Sequence, residues 1–446
     1  MVLSAWAAWL SRAEEVRPGL LAAWGLAWGL SLLACRVAAG VEAREGARFP
    51  LVVILAASAL SHACLVLAPP ALSDDLYRYV HDGRVLASGR NPYAFAPADL
   101  QVTGALGAET ERVNHPEVPT AYPPLAQLGF ALPVILGSGL TGLKTGLSGL
   151  GLVLSGLLAL LLAPGFRHRV VLVAWHPLLL LEVGGSGHVD VAAVTFVVAA
   201  LYFLRSGGPT DPKRRRWAAF MLVLGAWTKL LPGAWALALR FRLRWPLVVL
   251  TVVLSAAAVL PTLTVKQERK QPGLLAYAEH WDFNGVVYPP LRAGIERFEL
   301  KRRLDAVVVP RWPELARWTG PQFTTRALLG LGFLLVVLWA GGRRAREEGH
   351  VPVETALAPA AAFVIFSPTL HPWYLTWVLP FLALRRGWAW PWLCGMVGAS
   401  YASALAAGDG AWEELAWPRW IEHGGFVVLL LVDRFRPRGP EERLTV

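Results

Sequence analysis

The chain has 446 residues, 55% of them hydrophobic and only 16% charged, with a mean hydropathy of +0.46. Soluble domains carry about a quarter charged residues, so the composition excludes an ordinary water-soluble globule and implies a bilayer as solvent. A net charge of +11 would suggest nucleic acid in a soluble protein, but here the basic residues gather in short loops, as the positive-inside bias places them, and no nucleic-acid partner is expected.

A span needs about 20 mostly apolar residues. Taken in chain order, candidate runs are Leu20–Ala39, Leu51–Pro70, Leu125–Leu140, Leu147–Ala163, a short Val170–Val183, Val189–Leu204, Trp217–Leu239, Pro246–Leu263, Ala327–Ala340, Ala356–Phe366, Leu375–Leu384, Trp388–Ala406 and Phe426–Val432 with its flank. They predict an all-α polytopic membrane protein with roughly 11 to 13 transmembrane helices, some short or tilted. Basic clusters at Lys213–Arg216, Arg240 to Arg244, Arg343–Arg346 and Arg385–Arg386 fall between runs, and Trp217, Trp245 and Trp388 sit at run ends, where an interfacial belt places them. Ahead of the first run, Glu14 and Glu15 break any cleavable signal pattern, and Met1–Arg12 reads as an interfacial amphipathic turn. Cys35, Cys64 and Cys394 lie inside apolar runs and read as small buried residues, not as a disulfide framework.

No internal repeat divides the chain, so residues 1–446 are read as one membrane domain. Two segments interrupt its hydrophobic rhythm, residues 73–122 and 265–325. Both far exceed ordinary connections, and long loops tend to carry function. Both are expected to fold against one membrane face. Counting whole spans outward from a cytoplasmic Arg205–Arg216 does not put them on the same side, so at least one run must be re-entrant or broken. Lys229, followed by Pro232, marks one expected break, because a lysine inside a span is costly and usually lines a cavity.

The first segment opens Ser73-Asp74-Asp75-Leu76-Tyr77-Arg78-Tyr79-Val80-His81-Asp82-Gly83-Arg84. Ser73 can cap a helix whose first turn suits Asp74 and Asp75, and Gly89 and Pro92 stop it. On that helix Asp75, Tyr79 and Asp82 share one face, while Asp74, Arg78 and Asp82 form a second series. A capped amphipathic helix lying on the membrane accounts for the pattern. Chemistry accounts for it further: adjacent carboxylates in a partly dry site bind protons more readily and can act as a base toward an acceptor hydroxyl. Arg78, His81 and Arg84, within two turns, supply cations for a departing phosphate.

Other polar islands follow. Asn114-His115-Pro116-Glu117 precedes Tyr122-Pro123-Pro124-Leu125, a rigid entry to a span. Glu182, His188 and Asp190 flank a Gly-rich turn, which a catalytic acid, a metal site or a simple re-entrant turn could each use. Two ligand types at such spacing do not define a metal site, so no cofactor is assigned and a divalent metal is left open. Glu279-His280-Trp281-Asp282-Phe283-Asn284 offers aromatic rings beside hydrogen-bonding groups, suited to a sugar or to an interface. His371-Pro372-Trp373-Tyr374-Leu375-Thr376-Trp377 opens a late run.

Together these islands resemble, in the same order over most of the chain, the polytopic glycosyltransferases of the GT-C fold. The likeness is greatest to the mannosyltransferase that adds the first mannose in GPI-anchor synthesis and to its bacterial relatives. Asp74, Tyr77 and Asp82 fit that family's Asp-rich motif, and Asn91-Pro92-Tyr93 resembles its Ser-Pro-Tyr element. Tyr122-Pro123-Pro124-Leu125 resembles its Tyr-x-Tyr-x-Pro-Leu element. His176-Pro177-Leu178 with Glu182 and Gly187-His188-Val189-Asp190 resembles its Asn-Pro-Leu segment, and His371–Pro380 its late aromatic stretch. Here the acids are adjacent instead of spaced by one residue, which leaves open whether Asp74 or Asp75 is the base, and His371-Pro372 replaces a glutamine.

The resemblance implies a GT-C-like bundle in a bacterial inner membrane, with its active site on the non-cytoplasmic face. It implies inverting transfer of one hexose, with mannose expected, from a polyprenyl-phosphate donor to a glycolipid or envelope-glycan acceptor. Asp74 or Asp75 would be the catalytic base. Tyr77, Arg78, Asp82, Arg84, Tyr122, Glu182, His188, Asp190, His371 and Tyr374 would bind substrate. A transporter or flippase of lipid-linked sugars is the rival reading, since many spans and broken helices suit it too. The missing paired halves count against it.

Overall fold

The computed structural model describes residues 17–70, 72–100, 107–205, 211–264, 272–342, 351–403 and 414–435. Met1–Arg12 and Arg343–Arg346 lie outside them. Apart from isolated bridges joining Phe283 and Asn284 to Thr369, the described residues are helical or irregular. Four helices are by themselves long and apolar enough to cross a membrane. These are α1 (Arg17–Glu45), whose apolar stretch runs Leu21–Glu45, α2 (Arg48–Val66), α5 (Gly139–Leu161) and α14 (Pro321–Ala340). Their outer faces are apolar: Leu26, Leu30, Leu33 and Val37 make an exposed stripe along α1, and Leu328, Leu331 and Leu335 one along α14. In water such stripes would be a liability; against lipid they are solvated. The inward face of α2 instead carries Ser58, Ser61 and His62, all buried, since small and polar residues let helices approach closely in a bilayer.

Shorter segments complete the other passes. After α5 the chain returns through Arg167–Ala174 and α6, a π-helical stretch (Leu178–Gly185). Next come α7 (Asp190–Arg205), α8 (Pro212–Thr228), α9 (Gly233–Ala238) and α10 (Trp245–Ala257). The second long segment holds α11 (Gly273–His280), α12 (Tyr288–Arg297) and α13 (Leu300–Val308) ahead of α14. Then follow α15 (Val353–Phe366), a turn of 3-10 helix (Pro372–Trp377) leading into α16 (Leu379–Leu384), α17 (Ala389–Met396) and, after Ala416–Gly424, α18 (Gly425–Phe435).

Polar ties at the helix ends fix which end lies on which face. On one face Glu42, near the end of α1, accepts the amides of Gly165, Arg167 and His168 at 3.0, 3.2 and 2.8 Å. There too Arg169 donates to the carbonyls of Leu382 and Arg385 at 3.0 and 2.5 Å, Arg205 to Leu160 and Arg240 to Leu338 at 2.7 Å. Asp433 accepts the amides of Trp388 and Ala389 at 2.9 and 3.1 Å. This is the basic face, since the short turns on it carry Arg44, Arg48, Lys213–Arg216, Arg240, Arg242, Arg244, Arg385 and Arg386. On the opposite face the buried Lys144 ammonium caps the end of α2 through the carbonyls of Leu65 and Ala68, at 2.7 and 2.5 Å. There Trp24 reaches Gly395 at 2.8 Å, and Lys229 reaches Asp190.

Both long segments lie on this second face, the loop face, and the apparent conflict in the span count is resolved by two features. Leu125–Leu140, expected as a span, is not one. Its helix α4 (Pro124–Ile135) is short, contains Pro133, and lies across α3 (Asp75–Ala87). Phe130 stacks on Tyr79 at 4.5 Å, and a Cβ on Gly83 would sit 2.3 Å from the Phe130 carbonyl oxygen, so only glycine allows this crossing. The run starting at Trp217, in turn, breaks where expected: Lys229 is extended, and the chain turns back as α9.

Candidate active site

Helix α3 begins where expected. Ser73 Oγ accepts the Asp75 amide at 3.2 Å, and the helix ends at Ala87, just before Gly89 (φ +77°). Asp74 and Asp75 then part company. The Asp74 carboxylate stays exposed at the rim and accepts the Asn114 amide at 2.6 Å. Although the side chain reaches solvent, the protein packed beneath it, then the Asp75 charge, raise its carboxyl above its ordinary value. Asp75 turns inward, its side chain 23% exposed, with Oδ2 3.7 Å from His188 Nδ1.

His188 is fully buried. The chain reaches it through a turn at Gly187 (φ +76°), a conformation glycine adopts without strain, and its amide donates to the Glu182 carbonyl at 2.9 Å. The ring's Nε2 lies 3.4 Å from Glu182 Oε2. Glu182 Oε1 accepts the Tyr401 hydroxyl at 2.5 Å. Glu182 points inward because α6 is wound as a π-helix, a form that recurs at functional sites. One face of the His188 ring stacks on Trp373 at 4.0 Å; Trp373 stacks in turn on His371 at 4.4 Å, and His371 on Phe283 at 5.2 Å. Both faces of Trp373 and His371 are thereby covered, so these rings meet a ligand by their edges. Burial first, then the charges of His188 and Lys229, push His371 down to about 3, which keeps it neutral.

A second acid lies beside the first. Asp190, at the start of α7 and fully buried, accepts Lys229 Nζ at 2.7 Å on each oxygen and Trp377 Nε1 at 2.7 Å. Lys229, 23% exposed, also lies 5.1 Å from the centre of the Tyr374 ring. The phenols of Tyr374 and Tyr277 hydrogen-bond each other. Tyr122 bonds Tyr79 at 3.2 Å, and both feel the charges of Asp75 and Asp190. Above them the two long segments meet, His115 edge-on to Trp281 at 4.7 Å.

The structure therefore gathers Asp75, Glu182, His188, Asp190, Tyr122, Tyr374 and His371, with Asp74 at the rim. The remaining site candidates work elsewhere. Arg78 donates to the carbonyls of Val118, Asn114 and His115 at 2.8, 3.1 and 2.9 Å, and Arg84 pairs with Glu109 at 2.8 Å. Asp82 is buried against Gln127 and Thr120; desolvation raises its carboxyl, opposed by Arg78 and those hydrogen bonds. Tyr77 is buried beneath Arg112, whose guanidinium lies 4.2 Å from its ring centre. Lys229, Trp377 and Tyr401 were not among the expected site residues. The intramembrane lysine was the visible signal for the first; nothing in the sequence distinguishes Tyr401. Among the described residues no group of three or more His, Cys, Asp or Glu side chains is placed to hold a metal ion.

A bilayer-spanning helical bundle that collects carboxylates, a lysine and aromatic rings on one face defines an integral membrane enzyme. Residues 1–262 match the family described as alpha-(1->6)-mannopyranosyltransferase, N-terminal domain. The chain belongs to this family and is a mannosyltransferase, as its resemblance to bacterial mannosyltransferases led one to expect. The matched stretch contains α3, Glu182, His188, Asp190 and Lys229. Neither a characterised relative nor a solved structure matches the chain.

Proposed function

We propose that this mannosyltransferase takes mannose from a polyprenyl-phosphate donor and transfers it, with inversion, to a hydroxyl of a lipid-linked or envelope glycan, with Asp75 as the base. The observation that carries this reading is the division of labour at Asp75. Its Oδ2 faces His188, while no hydrogen bond from the described residues occupies Oδ1, which can accept the acceptor's proton. Asp74 is committed to Asn114 at the rim. Such a base is worth about 10²–10⁴ in rate.

The arrangement of the other acids supports inversion. Among the described residues Glu182 is oriented by Tyr401 and Asp190 is held by Lys229 and Trp377, which favours a single step in which the acceptor oxygen displaces phosphate. The departing phosphate needs a cation. Arg78 and Arg84 are spent on the loop; Lys229, paired with Asp190 but 23% exposed, is the cation within the cluster whose ammonium can meet the charge that develops on the leaving oxygen. A lipid-borne donor suits a site at helix ends beside the bilayer, which its tail can reach from the side. The basic short turns of the opposite face argue that it is cytoplasmic. The site then works on the non-cytoplasmic side of a bacterial inner membrane.

The test is transfer of radiolabel from polyprenyl-phosphate mannose to a membrane glycolipid extract by purified wild type, Asp74→Asn and Asp75→Asn. Loss of transfer in Asp75→Asn with Asp74→Asn retaining most of it supports the assignment. Full activity in Asp75→Asn refutes it. A wild type that moves labelled lipid across liposomes without transferring sugar would favour a flippase.

A further inference from the structure

Resting on Asp75 as the base, we infer that His188 and Glu182 form a buried positioning pair, held by Tyr401, which fixes the Asp75 carboxylate and sets the pH range in which it works. An imidazole presents a nitrogen to each of two carboxylates here, 3.7 Å to Asp75 and 3.4 Å to Glu182. Whichever nitrogen carries the single proton of the neutral ring, one carboxylate lacks a donor; a ring protonated on both serves both. Neither nitrogen makes a well-formed hydrogen bond in the structure, and neither does Glu182 Oε2. A buried group left this way costs about 1–3 kcal/mol, so a shift that closes the Asp75–His188 gap is favoured. The second carboxylate thus decides how firmly the ring holds a proton toward Asp75.

The arrangement is over-determined in a way packing alone does not need. Stacking on Trp373 fixes the ring plane, and the His188 amide bond to the Glu182 carbonyl fixes its height. Tyr401 fixes the far oxygen of Glu182, and Tyr401 is itself held edge-on by Trp24 at 6.2 Å. A buried charged set of this kind is commonly less stable than apolar residues of the same volume. The other titratable or charged groups around the ring are His371 beyond Trp373, Asp190 with its Lys229, which are already paired to each other, Lys144 beside Gly187, held by the carbonyls of Leu65 and Ala68, and Asp74 beside Asp75, held by Asn114. Asp75 and Glu182 are the two whose charge the ring can answer.

The proton path balances without further groups. The acceptor O–H proton passes to Asp75 Oδ1 as the new glycosidic bond forms and the bond to phosphate breaks. Asp75, being partly exposed, then releases that proton to water. His188 does not touch substrate; its part is to hold Oδ2.

The experiment measures kcat and KM against pH for wild type, Glu182→Gln, His188→Gln and Tyr401→Phe, with Asp75→Asn as control. Removing the Glu182 charge, or the ring, takes away the partner that faces Asp75 Oδ2. The acid limb of kcat is then expected to move up by about a pH unit, with kcat roughly tenfold lower below the limb and KM little changed. Tyr401→Phe moves it less in the same direction, and Glu182→Asp partly restores it. If Asp75→Asn is inactive but these variants only scale the profile without moving the limb, the pair is structural and this inference fails while the base assignment stands. If Asp75→Asn keeps full activity, the base assignment itself fails. Should Glu182→Gln not fold, His188→Gln and Tyr401→Phe decide the matter alone.

Discussion

The basic face of the bundle and the candidate site on the loop face handle buried charge differently. On the basic face, charged groups answer backbone: Glu42 accepts three amides, Asp433 accepts two residues' amides, and Arg169 donates to two carbonyls. Each closes a turn where one pass ends and another begins. On the loop face Lys144 and Arg78 also serve backbone carbonyls, but at the site itself charged groups answer one another across the bundle, as in Asp75–His188–Glu182 and Asp190–Lys229. Backbone partners make a charge a fastener. Side-chain partners, some at loose distance, leave groups whose proton or position can change, which is what a transfer reaction requires.

The largest expected effect breaks the loop face at its reactive acid. Asp75→Asn should lower kcat by about 10²–10⁴ while leaving the melting temperature in detergent close to wild type. A change at the basic face that did the same to kcat would dissolve the contrast. Next comes Lys229→Met, which leaves Asp190 buried with the Trp377 N–H as its remaining partner among the described residues. Breaking a buried pair from one side costs about 3–5 kcal/mol. Adding Asp190→Asn should recover much of that stability without recovering transfer. If the double variant is as unstable as the single one, the pair is not an electrostatic unit.

Much of this division could be read in the sequence, and the exceptions have physical causes. Apolar runs pointed to the membrane class, four of them containing helices long enough to cross alone, and Lys229 pointed to its own break because a lysine in a span needs a polar partner, here Asp190. Ser73 and Gly89 bracketed α3 correctly. What one-dimensional spacing cannot show is the direction a side chain takes. Asp74 and Asp75 are neighbours, yet one points to Asn114 and the other to His188. Arg78 and Arg84 looked like phosphate ligands, but they hold the loop that carries Asn114 and His115. Leu125–Leu140 is apolar enough to span and fails to, because Gly83 lets it dock on α3 instead. Tyr401 lies far along the chain from Glu182, and no local pattern ties them.

At the basic face, Glu42→Gln sharpens the contrast from the other side. It removes the charge that three amides and the His168 ring share, so a loss of about 1–3 kcal/mol in stability is expected, read as a lower melting temperature. The kcat of the folded fraction should be unchanged. A fall in kcat with unchanged melting temperature would mean that this face too takes part in the reaction.

The smallest effect lies within the loop face itself, at a residue that fastens instead of reacting. His81 on α3 is buried, with Nδ1 3.2 Å from the Thr110 hydroxyl. Burial first, then the charges of Arg78 and Arg84, push it from the ordinary 6.5 down to about 4. Between those values the unfolded chain binds a proton that the folded loop refuses, so stability is full above about pH 6.5 and is lost as pH falls toward 4. The loss is at most about 1.4 kcal/mol per pH unit crossed. His81→Gln, which keeps a partner for Thr110, should flatten the fall in melting temperature between pH 7 and pH 5 and leave kcat at pH 7 unchanged. An equally steep fall in the variant would mean that His81 is not the group responsible and that its place among the fastening charges of this face carries no acid sensitivity.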